Sequence, residues 1–238
     1  MEIWIVRHAD PDYENDSITE KGEREAKLLA KRLSKYEFDF VYCSPLGRAQ
    51  KTASYYLEKT GKTAKTLEWL REFEGNITDD GKSSICWDRK PDYWTRIDEY
   101  YSYDKWLDVE LMKNGDVERH YRKVQNGIDG LMKEHGYVKN GRIYDAVDSN
   151  HKRILLFCHF GVEAVMLSRI FSISPMILWH NFVALPTSVT RLASVEREKG
   201  KAIFNAIQFG DLSHLYAGGE EPSFAARFCE CYGDDTRH

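Results

Sequence analysis

Two short apolar runs in this chain each end in a histidine: Ile3, Trp4, Ile5 and Val6 lead to Arg7-His8, and Ile154, Leu155, Leu156, Phe157 and Cys158 lead to His159. Apolar runs of that length, bounded by turn residues, read as strands buried on both faces, as in a parallel sheet covered by helices on either side. Ligands of open α/β sheets bind beyond the carboxyl ends of such strands. If the two strands are parallel neighbours, His8 and His159 emerge at one sheet edge, each followed by a turn and a helix. A third run, Phe40, Val41, Tyr42 and Cys43, leads through Ser44-Pro45-Leu46-Gly47 to Arg48, which brings a second arginine near the same edge.

Taken alone, His159 reads equally well as a satisfied turn residue; His8 differs because Arg7 stands beside it. Two arginines and two histidines on one rim describe a pocket for a tetrahedral oxyanion. Guanidinium groups stay charged, and their forked donors match phosphate oxygens bidentately. Helix N-termini after the strands add backbone N–H groups and the positive end of a dipole. The expected ligand is a phosphoryl group. A neutral imidazole is a competent nucleophile toward phosphorus, and Arg7, Arg48 and a protonated His159 can neutralise the equatorial oxygens. The leaving alkoxide needs a proton. Glu72 and Glu74, in the loop after residues 67–70, are the candidate acids, and each reads also as a solvated loop carboxylate.

The stretches IVRHADPDYENDSITEKGEREAKLLAKRL, VYCSPLGRAQKTA, LREFEG and LLFCHFG, with the later FGDLSHL, together resemble the histidine phosphatase superfamily, also called phosphoglycerate mutase-like. The resemblance covers roughly the first 75 residues and positions about 150 to 215, and is loose between them. It implies that His8 is the nucleophile, that Arg7, Arg48 and His159 surround the phosphoryl group, and that Glu72 rather than Glu74 is the acid. It further implies one phosphoglycerate mutase-like domain over 1–238, with a helical and aromatic cap inserted at about 76–150. The expected activity is that of a phosphomonoesterase working on a small-molecule phosphate ester through a phosphohistidine, with no cofactor. A phosphoglycerate mutase-type phosphotransferase is one alternative, but the paired-arginine stretch of the mutases is not evident in the middle segment. A phospholigand-binding protein without turnover is another, and the complete set of Arg7, His8, Arg48, Glu72 and His159 argues against it. Ala9 departs from the glycine common after the Arg-His pair, and the asparagine often found downstream in that loop is not in its usual place.

His8, Asp10 and His159 are conceivable metal ligands, yet there is no H-E-x-x-H and no aspartate pair at a strand end, so no metal is expected. The chain's 238 residues, 42% of them hydrophobic, suffice for one α/β core. A net charge of −4 offers no basic face to nucleic acid. No N-terminal apolar segment reaches signal-peptide or membrane-span length, so neither secretion nor a membrane is expected and the location reads as cytoplasmic. Of five cysteines, Cys43 and Cys158 fall in expected buried strands, while Cys229 and Cys231 form at most a weak metal or redox signal. Free thiols in a reducing compartment are expected.

Thr19 is placed to cap a helix whose Ala26, Leu29, Ala30 and Leu33 share one face. Further helices are expected over 46–59, 116–134 and 160–171, and strands over 189–195 and 202–209. This alternation predicts a three-layer α/β/α sandwich with a mostly parallel sheet. The segment between Glu74 and Arg153 holds Trp87, Tyr93, Trp94, Tyr100, Tyr101, Tyr103 and Trp106, rings that either roof the pocket or simply pack. Arg89, Lys90 and Arg96 there either hold a second anionic group or stay solvated. Near the end of the chain, Phe224 and Phe228 suggest a packed tail.

Overall fold

In the computed structural model, which describes residues 1–223 and 232–233, the apolar runs pair as the sequence implies. Phe224, Phe228, Cys229 and Cys231 lie outside the described residues. In chain order the strands are β1 (Glu2–Arg7), β2 (Pro11–Asp12), β3 (Ser17–Ile18), β4 (Phe40–Cys43), β5 (Lys65–Thr66), β6 (Asn76–Asp79), β7 (Lys82–Ile85), β8 (Tyr137–Asn140), β9 (Ile143–Ala146), β10 (Arg153–Cys158), β11 (Val189–Glu198) and β12 (Lys201–Asp211). The helices are α1 (Glu20–Leu33), α2 (Gly47–Thr60), α3 (Pro91–Trp94), α4 (Glu110–Lys113), α5 (Val117–Glu134), α6 (Phe160–Phe171), α7 (Pro175–Asn181) and α8 (Ser213–Gly218).

Eight strands form one mixed sheet in the order β5-β4-β10-β1-β11-β12-β9-β8. From β5 to β1 the neighbours run parallel; from β1 to β8 they run antiparallel. Alternation along β1 and β10 sends successive side chains to opposite faces. Trp4, Val6, Leu155 and Phe157 pack with Leu29, Ala30, Leu33, Ala53 and Tyr56 of α1 and α2. Ile3, Ile5, Ile154 and Leu156 pack into the opposite core with Val124 and Ile128 of α5 and Val165 and Met166 of α6. Both faces being covered is why these strands are continuous apolar runs. The Thr19 hydroxyl accepts the Gly22 N–H at 3.0 Å and starts α1, satisfying one of the amides that the first turn leaves without a helical partner.

Residues 76–150 do two different things. The part from α5 to β9 joins the sandwich, with α5 under α6 and β8 and β9 ending the sheet. The part from β6 to α4 packs against α7 and the start of α6. Its hairpin β6–β7 turns at Asp80-Gly81, both with positive φ (46° and 73°), the backbone that a tight type I′ hairpin requires. Trp94, Tyr100 and Trp106 are buried, and the Trp106 ring meets Tyr121 and Trp179 edge-on at 4.9 and 5.7 Å. Most of this segment's aromatics therefore serve packing. Cys43, Cys86 and Cys158 are buried and, among the described residues, unpaired.

Candidate active site

The β1–β10 register sets Arg7 opposite Cys158, so His8 and His159 leave adjacent parallel strands at one level. Their ring centroids lie 5.0 Å apart. The His8 backbone is clamped from two sides: its N–H donates to Cys158 O at 3.0 Å, and its carbonyl accepts the Thr187 N–H at 3.1 Å. Its Nδ1 sits 2.8 Å from Ala9 O. A carbonyl only accepts, so Nδ1 carries the hydrogen and Nε2 is left with its lone pair. The ring is 1% exposed, and burial, with Arg7 and Arg48 nearby, holds its pKa well below the ordinary histidine value. His8 is neutral. Ala9, where glycine was the expectation from resemblance, is fully buried against Ile18 and Ala26.

The two arginines are oriented from outside the pocket. Arg7 is buried, and its Nη1 donates to Ala184 O at 2.6 Å. Arg48, in the first turn of α2, donates through Nη1 to Asp16 Oδ1 at 2.7 Å, while Asp16 Oδ2 accepts the Gly47 N–H at 2.7 Å. One carboxylate thus caps the helix and aims the arginine. Only glycine fits at 47, since a Cβ there would lie 2.1 Å from Asp16 O. His159 Nε2 is 2.8 Å from Ser44 Oγ. Arg7 Nε, Arg48 Nε and His159 Nδ1 are buried with no hydrogen-bond partner among the described residues.

A charged His159 does not match this environment. Burial first, then His8, Arg48 and Arg7, hold its pKa well below the ordinary value, which disfavours the charged ring beside two guanidinium groups. The protonated form expected from sequence requires an anion to supply the counter-charge.

Glu72 and Glu74 separate clearly. Glu72 Oε1 accepts the Phe73 N–H at 2.8 Å and the Val162 N–H at 3.1 Å, so it caps α6 beside His159. A Cβ at position 161 would lie 2.6 Å from that oxygen, which is why glycine stands there. Burial raises the Glu72 pKa, against the opposing pull of the Phe73 amide, Arg7 and Arg48. Glu74 is exposed and pairs with Arg71 at 3.7 Å.

The remaining expectations divide. Trp87 borders the site: its indole N–H donates to Phe73 O at 3.3 Å, and its ring meets Phe160 edge-on at 6.4 Å. Arg89 directs Nη2 to Ser84 Oγ and Ile85 O, Arg96 pairs with exposed Asp92, and Lys90 is exposed, so the three do not converge on His8. Asp10 accepts the hydroxyls of Thr19 and Ser223. Sequence reasoning passed over Asp16, Ser44 and Glu163. Glu163 lies one turn into α6, after the extended N-cap His159.

The family description "Histidine phosphatase superfamily (branch 1)" matches residues 3–206. An adenosylcobalamin/alpha-ribazole phosphatase from Salmonella typhi is 24% identical over 193 residues, 76% of this chain and 84% of that protein. Phosphoserine phosphatase 1 from Hydrogenobacter thermophilus is 33% identical over 150 residues, covering 57% and 66% of the two chains. The alpha-ribazole phosphatase from Shigella flexneri superposes with a TM-score of 0.58 at 20% identity, over 89% of this chain and 97% of its own. With the paired strands, their two histidines and the family match extending over nearly its whole length, the chain belongs to the histidine phosphatase superfamily.

Proposed function

We propose that this protein is a metal-independent phosphomonoesterase that hydrolyses a small phosphorylated metabolite through a phosphohistidine on His8, in the cytoplasm. One observation carries the reading. A buried imidazole keeps its Nε2 lone pair free beside three buried nitrogens, Arg7 Nε, Arg48 Nε and His159 Nδ1, that lack partners among the described residues. Unpartnered buried atoms occur elsewhere among the described residues, but here three nitrogen donors gather around one nucleophile, and a phosphoryl group carries the oxygens that pair them. Phosphatases among the relatives support the same activity, and Cys43, Cys86 and Cys158, buried and unpaired among the described residues, support the same location.

In the first step the Nε2 lone pair attacks phosphorus, the bond from phosphorus to the ester oxygen breaks, and Glu72 gives its proton to the departing alkoxide. Arg7 and Arg48 supply the positive charge around the transferring group. In the second step water attacks the phosphohistidine, its proton passes to the Glu72 carboxylate, and the N–P electrons return to Nε2. Phosphate leaves and Glu72 is again an acid.

A panel of phosphate esters tests this, with 3-phosphoglycerate and a bisphosphorylated activator included. Release of inorganic phosphate, undiminished by EDTA and lost in His8→Ala, is the expected result. Activity restored only by a divalent cation, or phosphoryl transfer without net release, contradicts the proposal.

A further inference from the structure

Glu163 is a buried acid at the site that the two steps above leave unused. It lies one turn into α6, its N–H bonded to His159 O at 3.1 Å, and it is 1% exposed. The Thr190 hydroxyl of β11 donates to its carboxyl. That hydroxyl oxygen accepts the Gly210 N–H at 3.2 Å, which fixes the donor's direction. Glu163 Oε1 has no hydrogen-bond partner among the described residues. Glu72 Oε1 is bonded to the N–H of Val162, the residue next to Glu163, and Thr190 pairs with Ile5, two residues before Arg7 on β1. Arg7, Glu72, Thr190 and the Cys158 thiol of β10, which burial and then Glu163 push upward, are the groups that act on it.

We propose that Glu163 is a positioning residue whose carboxylate serves as counter-charge to Arg7 and sets the pH at which Glu72 gives up its proton. Both carboxyls act on Arg7, while Arg48, the other cation near Glu72, is already paired with Asp16 at 2.7 Å, and a buried carboxylate persists only when paired. Both cannot ionise freely beside a single cation, so they titrate as a coupled pair. Burial raises Glu163 to about 7, against the pull of Thr190 and Arg7. While Glu163 carries charge, its repulsion keeps the proton on Glu72, and Glu72 remains an acid to higher pH.

This inference rests on the reading of His8 as nucleophile and Glu72 as acid. Its test is the pH profile of kcat/KM for an alkyl phosphate in the wild type, Glu163→Gln and Glu163→Asp. The rate of phosphoenzyme formation from p-nitrophenyl phosphate, whose leaving group needs no acid, is followed alongside. Glu163→Gln keeps the shape and removes the charge, so the alkaline limb should move down by about one pH unit. Glu163→Asp should restore the limb toward its wild-type position, and the nitrophenyl burst should keep its wild-type profile. If Glu163→Gln fails to fold, Thr190→Val, which disfavours the ionised Glu163, should move the limb in the same direction by less. An unmoved limb in a folded Glu163→Gln or Thr190→Val protein, with wild-type His8 still phosphorylated, overturns the inference alone. Absence of phosphohistidine in the wild type overturns the underlying reading as well.

Discussion

The carboxyl edge of β1, β4 and β10 and the segment from β6 to α4 are built from the same ingredients, arginines and rings, and use them in opposite ways. At the strand edge Arg7, Arg48 and His159 each keep a buried nitrogen without a partner among the described residues. In the segment, Trp94, Tyr100 and Trp106 are buried in packing, and Arg89 and Arg96 direct donors to neighbours within a few residues. Richness in a residue type therefore says little about where chemistry occurs. Buried atoms without a partner among the described residues occur in the segment too, at Arg89 Nε, Tyr100 Oη and Trp106 Nε1, so the distinguishing sign is convergence: at the strand edge three such nitrogens gather beside two histidines whose rings lie 5.0 Å apart.

Four substitutions can break or sharpen that contrast. Glu72→Gln should slow phosphoenzyme formation from an alkyl phosphate by about 10²–10⁴-fold while leaving the p-nitrophenyl phosphate burst nearly intact; equal slowing of both would make Glu72 structural, and the same selective defect in Glu74→Gln would move the acid there. Arg7→Lys keeps the charge but loses the fork, and kcat/KM should fall by about 10²–10³-fold with the fold intact by circular dichroism. Trp106→Ala, on the packing side, should cost about 3–5 kcal/mol in denaturant unfolding, with kcat per folded molecule unchanged. A tenfold drop in kcat at temperatures where the variant is folded would dissolve the distinction. Arg96→Ala, at an exposed ion pair worth at most about 1 kcal/mol, should change neither kcat/KM nor the unfolding midpoint measurably.

Much of this arrangement was legible because the strands that carry the site are buried on both faces, which forces uninterrupted apolar runs, and because the site residues sit immediately after those runs. Helix α6 occupies the expected 160–171, and Thr19 caps α1 as its side chain predicts. The β6–β7 and β8–β9 hairpins escaped notice although Asp80-Gly81 and Asn140-Gly141 mark their turns, since their strands are four residues long and their burial is uneven. Asp16 was invisible because it reaches Arg48 from a loop through tertiary approach, its backbone in the left-handed region at φ 43°. Glu163 was hidden for a different reason. Phe160 through Ser168 are all buried, so α6 has no polar face against which a misplaced acid stands out. The joint effect of burial, His8 and two arginines on His159 emerges only once the strands are side by side.

The central claim is that His8 attacks through Nε2, because the Ala9 carbonyl holds the hydrogen on Nδ1. Phosphorus NMR of the protein trapped with a slowly turned-over phosphate ester, together with fragmentation mass spectrometry of the labelled peptide, reads out both the residue and the ring nitrogen. The account predicts phosphate on Nε2 of His8. Phosphate on Nδ1, on His159 or on a serine would contradict it.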